Sequence, residues 1–151
     1  MSTQAEATPT PVILTKDYIR DAFKHLEEVE DVEHRNLFFK KYMVEDVKWE
    51  ITGNGHELAG TRYSLAEHSS ASFTKLGKKL QKPIKFVVRS IILEPDTRWA
   101  CVECQGFATR TNGQPYNNDY VWLTEWDANG KIFHVRSYHD TNLAEKVLHE
   151  A

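Results

Sequence analysis

The chain has 151 residues and two cysteines, Cys101 and Cys104. Their C-x-x-C spacing does not amount to redox or zinc chemistry. The surrounding "WACVECQGFA" reads as a strand, on which residues three apart face opposite sides. A redox pair needs a helix N-terminus and zinc takes four ligands. Positive charge is also scarce: 19 Lys and Arg stand against 22 Asp and Glu, and no stretch concentrates them beyond Lys75 to Lys85. That balance argues against a nucleic-acid partner. No run approaches the roughly 20 apolar residues that a membrane span needs. The opening "MSTQAEATPTP" lacks the basic and apolar regions of a signal peptide. Residues 1–14 are therefore expected to form a flexible arm, 15–151 a single domain, and the cytoplasm is the expected compartment. Four Trp, six Tyr and seven Phe exclude a disordered chain.

Thr15 is placed to cap a helix in which Tyr18, Ile19, Ala22, Phe23, Leu26 and Val29 recur at helical spacing. A second helix carries Leu37, Phe38 and Tyr42 on one side. The strand "VKWEIT" and the loop "GNGHELAG" follow. The loop has glycines enough for a phosphate cradle, but the alternating strands and helices of a dinucleotide site do not follow it. Leu65 to Leu80 reads as a third helix, with Ser69, Ser72, Phe73, Leu76 and Leu80 inward, ended by Pro83. Four strands come next, separated by "EPDT", "TNGQP" and "DANG", which carry the residues of reversing turns. Asp140 or Thr141 caps a short last helix. Helices first and an antiparallel meander second argue an α+β fold.

A long twisted sheet can curl into a cone with a ligand cavity inside. One parity of the second long strand gives Ala100, Val102, Cys104, Gly106 and Ala108, all small. The facing parity of the next gives Tyr116, Asn118, Tyr120, Trp122, Thr124 and Trp126. Small residues opposite large ones either leave room for a flat, apolar ligand or accommodate the bulky row in a filled core. Both readings stand at this stage.

The segments "EHRNLFFKKYMVEDVKWEITG", "LAGTRYS" and "GQPYNNDYVWLTEWDANGKIFHVRSYHDT", in that order, resemble the SnoaL-like branch of the NTF2-like, ketosteroid-isomerase-related superfamily, and fungal SnoaL-like isomerases and cyclases in particular. The resemblance spans about residues 15 to 148. It implies a conical α+β barrel, a curved sheet wrapped around N-terminal helices and a central pocket for a small-molecule substrate. It also implies no metal or organic cofactor, and a homodimer. Members act in secondary metabolism as polyketide cyclases, isomerases, dehydratases or epoxide hydrolases, and others only bind ligands or partners. Fold alone does not choose among these.

Where cyclases of this kind place an inward acid on the last strand, this chain has Ser137. An epoxide-hydrolase arrangement of acid, arginine and acid is departed from at Cys104, Gly106 and Ser137. The resemblance carries over an arginine, Arg35, and a tyrosine pair, Tyr116 and Tyr120, as donors to a carbonyl, epoxide or enolate oxygen. Each has an ordinary structural role as its alternative. Strand alternation turns Ser137 and His139 inward and His134, Arg136 and Tyr138 outward. His139 is then the candidate base, acting through Ser137 or water. Tyr42, Trp49, Cys104, Asn118 and Trp122 are the expected walls of the substrate site. His56 and His68 read as surface histidines. Asp119, Glu103 and Glu125 fall on the outer parity, and Glu103 becomes the first-choice base if that parity is wrong. The expected activity is a cofactor-free isomerisation or cyclisation of an apolar, oxygenated polyketide or terpenoid. The alternatives are a non-catalytic ligand-binding or assembly module and an epoxide hydrolase with relocated acids.

Overall fold

The computed structural model describes residues 10–151. Helix α1 (Lys16–Lys24) starts at Thr15, whose side chain accepts from the Tyr18 N–H at 3.0 Å. It buries Ile19, Ala22 and Phe23, then tightens into a 3-10 turn, His25–Glu27, that buries Leu26. Asp31 caps α2 (Val32–Tyr42) in the same manner, accepting from the His34 N–H. Phe38 and Tyr42 are buried there, whereas Leu37, expected inside, is exposed. Of the expected arm, residues 1–9 lie outside the described residues. Val12, within its remainder, donates to the Ala128 carbonyl and accepts from Arg98.

Strand β1 (Met43–Ile51) leads to a short β2 (Gly60–Arg62), a strand the glycine-rich loop did not announce. Helices α3 (Leu65–His68) and α4 (Thr74–Gly77) are joined by a single π-turn, Ser69–Phe73. The strands β3 (Lys85–Leu93), β4 (Trp99–Thr109), β5 (Pro115–Trp126) and β6 (Ile132–His139) form the expected antiparallel meander. Helix α5 (Thr141–Leu148) closes the fold, capped by Asp140.

The six strands make one sheet in the order β2-β1-β6-β5-β4-β3. Its last strand lies parallel to its first long one, with Trp49 beside Val135 and Ile51 beside Ser137. Bulges at Val88–Ser90 and Glu125–Trp126 curve the sheet around the helices. The architecture is an α+β cone with an unclosed sheet. Its concave face holds Val47, Trp49, Val102, Tyr116, Trp122, Trp126 and Val135, all buried, with Trp122 packed on Phe23 and Phe38. No helix among the described residues is long and apolar enough to cross a membrane.

The alternation on β4 and β5 is as the sequence implies, and it decides between the two readings of the small residues. Cys104 pairs with Tyr120 and Gly106 with Asn118. A Cβ built on Gly106 would meet the Tyr120 ring at 2.7 Å and Ile84 at 2.9 Å. The glycine is there so that the Tyr120 ring can lie against the backbone, and this part of the core is filled.

Candidate active site

Two cavities occupy the cone and share the side chains Phe73, Leu76, Ile84 and Phe86 as a common wall. The outer one, of about 590 Å³, opens between α2, α4 and β3 and is lined by Arg35, Asn36, Phe39 and Lys40 on its helical side. The inner one is a chamber of about 30 Å³ lined by Trp49, His68, Tyr116, Tyr120, Trp122, Ser137 and His139, among others. That is room for a water molecule or a small functional group. No Asp or Glu lines either cavity among the described residues, but a third cavity of about 340 Å³, at the rim, has Glu103, Asp119 and Asp140 in its lining together with Tyr120 and His139. Nor do three His, Cys, Asp or Glu side chains converge there as a metal site would require.

The expected site residues divide between these places. Arg35 belongs to the outer cavity, away from the tyrosines it was expected to join. Its Nη1 donates to the carbonyls of Leu26 and Glu28 at 2.9 Å each, which fixes the 3-10 turn to α2. Burial lowers its pKa to about 10, so it stays charged at neutral pH. Tyr42 lies outside both cavities, its ring edge-on to Tyr18 at 5.6 Å; α2 points it down its core-facing side toward α1. Cys104 sits behind Tyr120, its thiol pushed up to about 12 by burial, and does not line the chamber. Asn118 is likewise behind the chamber, and its role there is the most informative of the set.

The Asp140 N–H can only donate, so the Asn118 atom 3.0 Å from it is the carbonyl oxygen Oδ1. The amide nitrogen Nδ2 therefore donates to the Asp140 carbonyl at 3.1 Å and to the Tyr116 hydroxyl at 3.0 Å. Tyr116 is fully buried, and its only other partner among the described residues is the Tyr120 hydroxyl at 2.8 Å, where either oxygen could donate. If Tyr116 accepted there too, its own proton would be orphaned in the enclosed core at a cost of roughly 1–3 kcal/mol, whereas Tyr120 is 8% exposed and its proton can meet a ligand or solvent. Tyr116 thus donates to Tyr120. The Tyr120 proton is the free end of the relay, with no partner among the described residues. Burial raises the pKa of both phenols, which keeps them protonated.

Ser137 accepts from Trp49 Nε1 at 3.0 Å, and this hydrogen bond holds the indole across the chamber. His139 packs its ring on Tyr120, centroids 5.7 Å apart, and its Nε2 is buried without a partner. Burial, reinforced by His56 and opposed by Asp140, pushes it down to about 4, so it is neutral at pH 7. On the convex face Glu103 pairs with Arg89 at 3.4 Å, while His134 contacts Glu50 at 2.8 Å and Glu125 at 3.7 Å. Asp119 is exposed, and Arg136 lies over the Trp99 ring at 5.0 Å.

His68 corrects the sequence reading. Expected at the surface, it is 1% exposed and lies flat on Trp49, ring centroids 3.7 Å apart. Phe73 stands edge-on to it at 4.7 Å. The π-turn produces this arrangement: residues five apart share a face there, which brings His68 above Phe73. The available signal was its position four residues before the inward Ser72.

No protein-family model and no curated protein sequence matches this chain. Solved structures do. An NTF2-like protein from Burkholderia thailandensis is similar over 91% of this chain and 100% of its own, at 19% identity and a TM-score of 0.64. A protein from Bacillus subtilis named as a candidate isomerase is similar over 87% of this chain and 89% of its own, at 15% identity and a TM-score of 0.62. A protein from Pseudomonas putida named as a candidate polyketide cyclase is similar over 86% and 92%, at 18% identity and a TM-score of 0.58. At such identities the likeness is one of architecture: the chain has the NTF2-like fold.

Proposed function

We propose that this chain is a cofactor-free isomerase or cyclase of secondary metabolism that rearranges an apolar, oxygenated intermediate of polyketide or terpenoid type. The observation that carries the reading is the unspent Tyr120 proton beside the unpartnered Nε2 of His139, in a chamber that adjoins an apolar cavity across the side chains of Phe73 and Phe86. The outer cavity takes the hydrocarbon body between Phe39, Phe73 and Phe86. Tyr120 donates to a substrate oxygen, Tyr116 and Asn118 polarise Tyr120, and neutral His139 takes a proton from the adjacent carbon and returns it at another. Ser137 serves this relay by holding Trp49 as a wall. Arg35 closes the mouth with positive charge. The exposed side chains Ile92, Phe107 and Tyr138 support a homodimer through the convex sheet face.

The test is proton exchange at carbon. 2-Tetralone, an apolar ketone with acidic α-hydrogens, is incubated with the purified protein in deuterium oxide and analysed by mass spectrometry. Deuterium uptake above the buffer rate, lost in Tyr120→Phe and His139→Phe, is the expected result. Binding with uptake no faster than buffer overturns the enzyme reading. It then leaves the non-catalytic ligand-binding module, which is favoured by the small inner chamber and by the spent hydrogen bond of Ser137. An epoxide hydrolase with relocated acids has less support, because the carboxylates nearest Tyr120 and His139, those of Glu103, Asp119 and Asp140, line a separate cavity at the rim and not the two within the cone.

A further inference from the structure

His68 has no part in the relay described above, yet its surroundings are unusual for a polar side chain. It is 1% exposed, and neither Nδ1 nor Nε2 has a hydrogen-bond partner among the described residues. Each such buried group left unpaired costs roughly 1–3 kcal/mol. Stacking on Trp49 satisfies the ring faces, but the nitrogens lie in the ring plane and gain nothing from it. A phenylalanine would fill the same space between Trp49 and Phe73 without that cost. Across the same chamber His139 presents a second unpartnered nitrogen, and Tyr120 the proton at the end of its relay. Ser72, one turn on from His68, is buried on the same wall.

The geometry points to the inner chamber as a subsite for an uncharged oxygen of the ligand, a ketone or hydroxyl, bound between His68 and His139, with His68 setting that specificity. Three features choose this class. The chamber of about 30 Å³ is small and suits a compact group such as a carbonyl or hydroxyl better than a phosphate. No Lys, Arg, Asp or Glu lines it, so a charged group would be desolvated without a counter-ion. An imidazole offers one donor and one acceptor, which suits a hydroxyl as well as a carbonyl. The positive groups Arg35, Lys40 and Lys82 all belong to the outer cavity, so any anionic end of a ligand is held at the mouth. The subsite shares the proposed reaction's location but not its chemistry, and a pure binding module would possess it equally.

The experiment compares 2-naphthol with naphthalene, two probes of one shape that differ by a neutral hydroxyl. Binding is read from quenching of the tryptophan fluorescence, since Trp49 and Trp122 line the chamber. The wild-type chain is expected to bind naphthol about tenfold tighter than naphthalene, the worth of one good hydrogen bond. His68→Phe should bring that ratio close to one while naphthalene binding persists, and His68→Gln should restore part of it. Thermal melts show whether each variant is folded. A wild-type ratio near one, or a ratio unchanged in folded His68→Phe, overturns the subsite. Because no turnover enters this measurement, failure of the 2-tetralone exchange leaves it intact, and the reverse also holds.

Discussion

The hydroxyls of Tyr116 and Tyr120 meet at 2.8 Å, and the Asn118 amide behind them sets which one donates. A pair that looks symmetric in sequence is therefore unequal in structure. Tyr120→Phe removes the free proton, whereas Tyr116→Phe removes only the group that polarises it. In the 2-tetralone assay Tyr120→Phe should lower the rate by roughly 10²–10³. Tyr116→Phe should cost less, about tenfold. Equal losses from the two variants would contradict the direction of the relay.

Asn118 joins β5 to the start of α5 through both backbone groups of Asp140. Asn118→Ala leaves those groups and the Tyr116 hydroxyl short of partners in a buried place. A loss of about 2–4 kcal/mol in urea unfolding is expected. Asn118→Asp is the sharper probe, because a carboxylate oxygen cannot donate to the Asp140 carbonyl or to Tyr116.

Gly106→Ala tests the filled part of the cone. The added methyl would sit 2.7 Å from the Tyr120 ring, which must move. Overpacking of this kind costs about 1–3 kcal/mol. The displaced phenol should also reduce exchange activity, so that stability and rate fall together.

Acid should weaken the fold through the buried His68 and the half-buried His139. An unfolded imidazole takes its proton near pH 6.5, roughly. Burial holds His139 down to about 4 and His68 to about 3. Both folded values are depressed, so the unfolded chain binds more protons between these limits. The stabilising effect is complete above about pH 6.5 and is lost as pH falls through the folded values. Urea midpoints measured from about pH 7 to 4 should decline, and His68→Phe should flatten the decline by removing one of the two sites. A slope identical in the variant would show that His68 is protonated alike in both states.

Strand alternation carried most of what was legible in advance. A period of two is a geometric constraint, and it correctly sorted Ser137 and His139 from Arg136 and Tyr138, and Cys104 from Glu103. Turn residues marked the meander, and Asp140 marked the last helix. The parallel pairing of β1 with β6 carries no local signal, because it joins segments more than 80 residues apart. His68 was misplaced because a lone histidine was assigned to the surface by residue type, although its spacing of four from the inward Ser72 put it on the buried face. Arg35 was placed on the correct helix but in the wrong chamber. Sequence shows which face of α2 is inward, not that Phe73 and Phe86 divide the interior in two.

The parallel contact between β1 and β6 fixes when the site comes into being. Trp49 reaches its Ser137 partner, and His68 its facing His139, only after the final strand has been synthesised and threaded beside the first. A nascent chain paused before Ile132 already carries α1 to α4 and the other strands, but Trp49 has no anchor and the Asn118 amide no backbone to clasp. The interior of the cone is therefore a late product of biosynthesis, and until β6 arrives the apolar edge of β1 is the segment most in need of a chaperone.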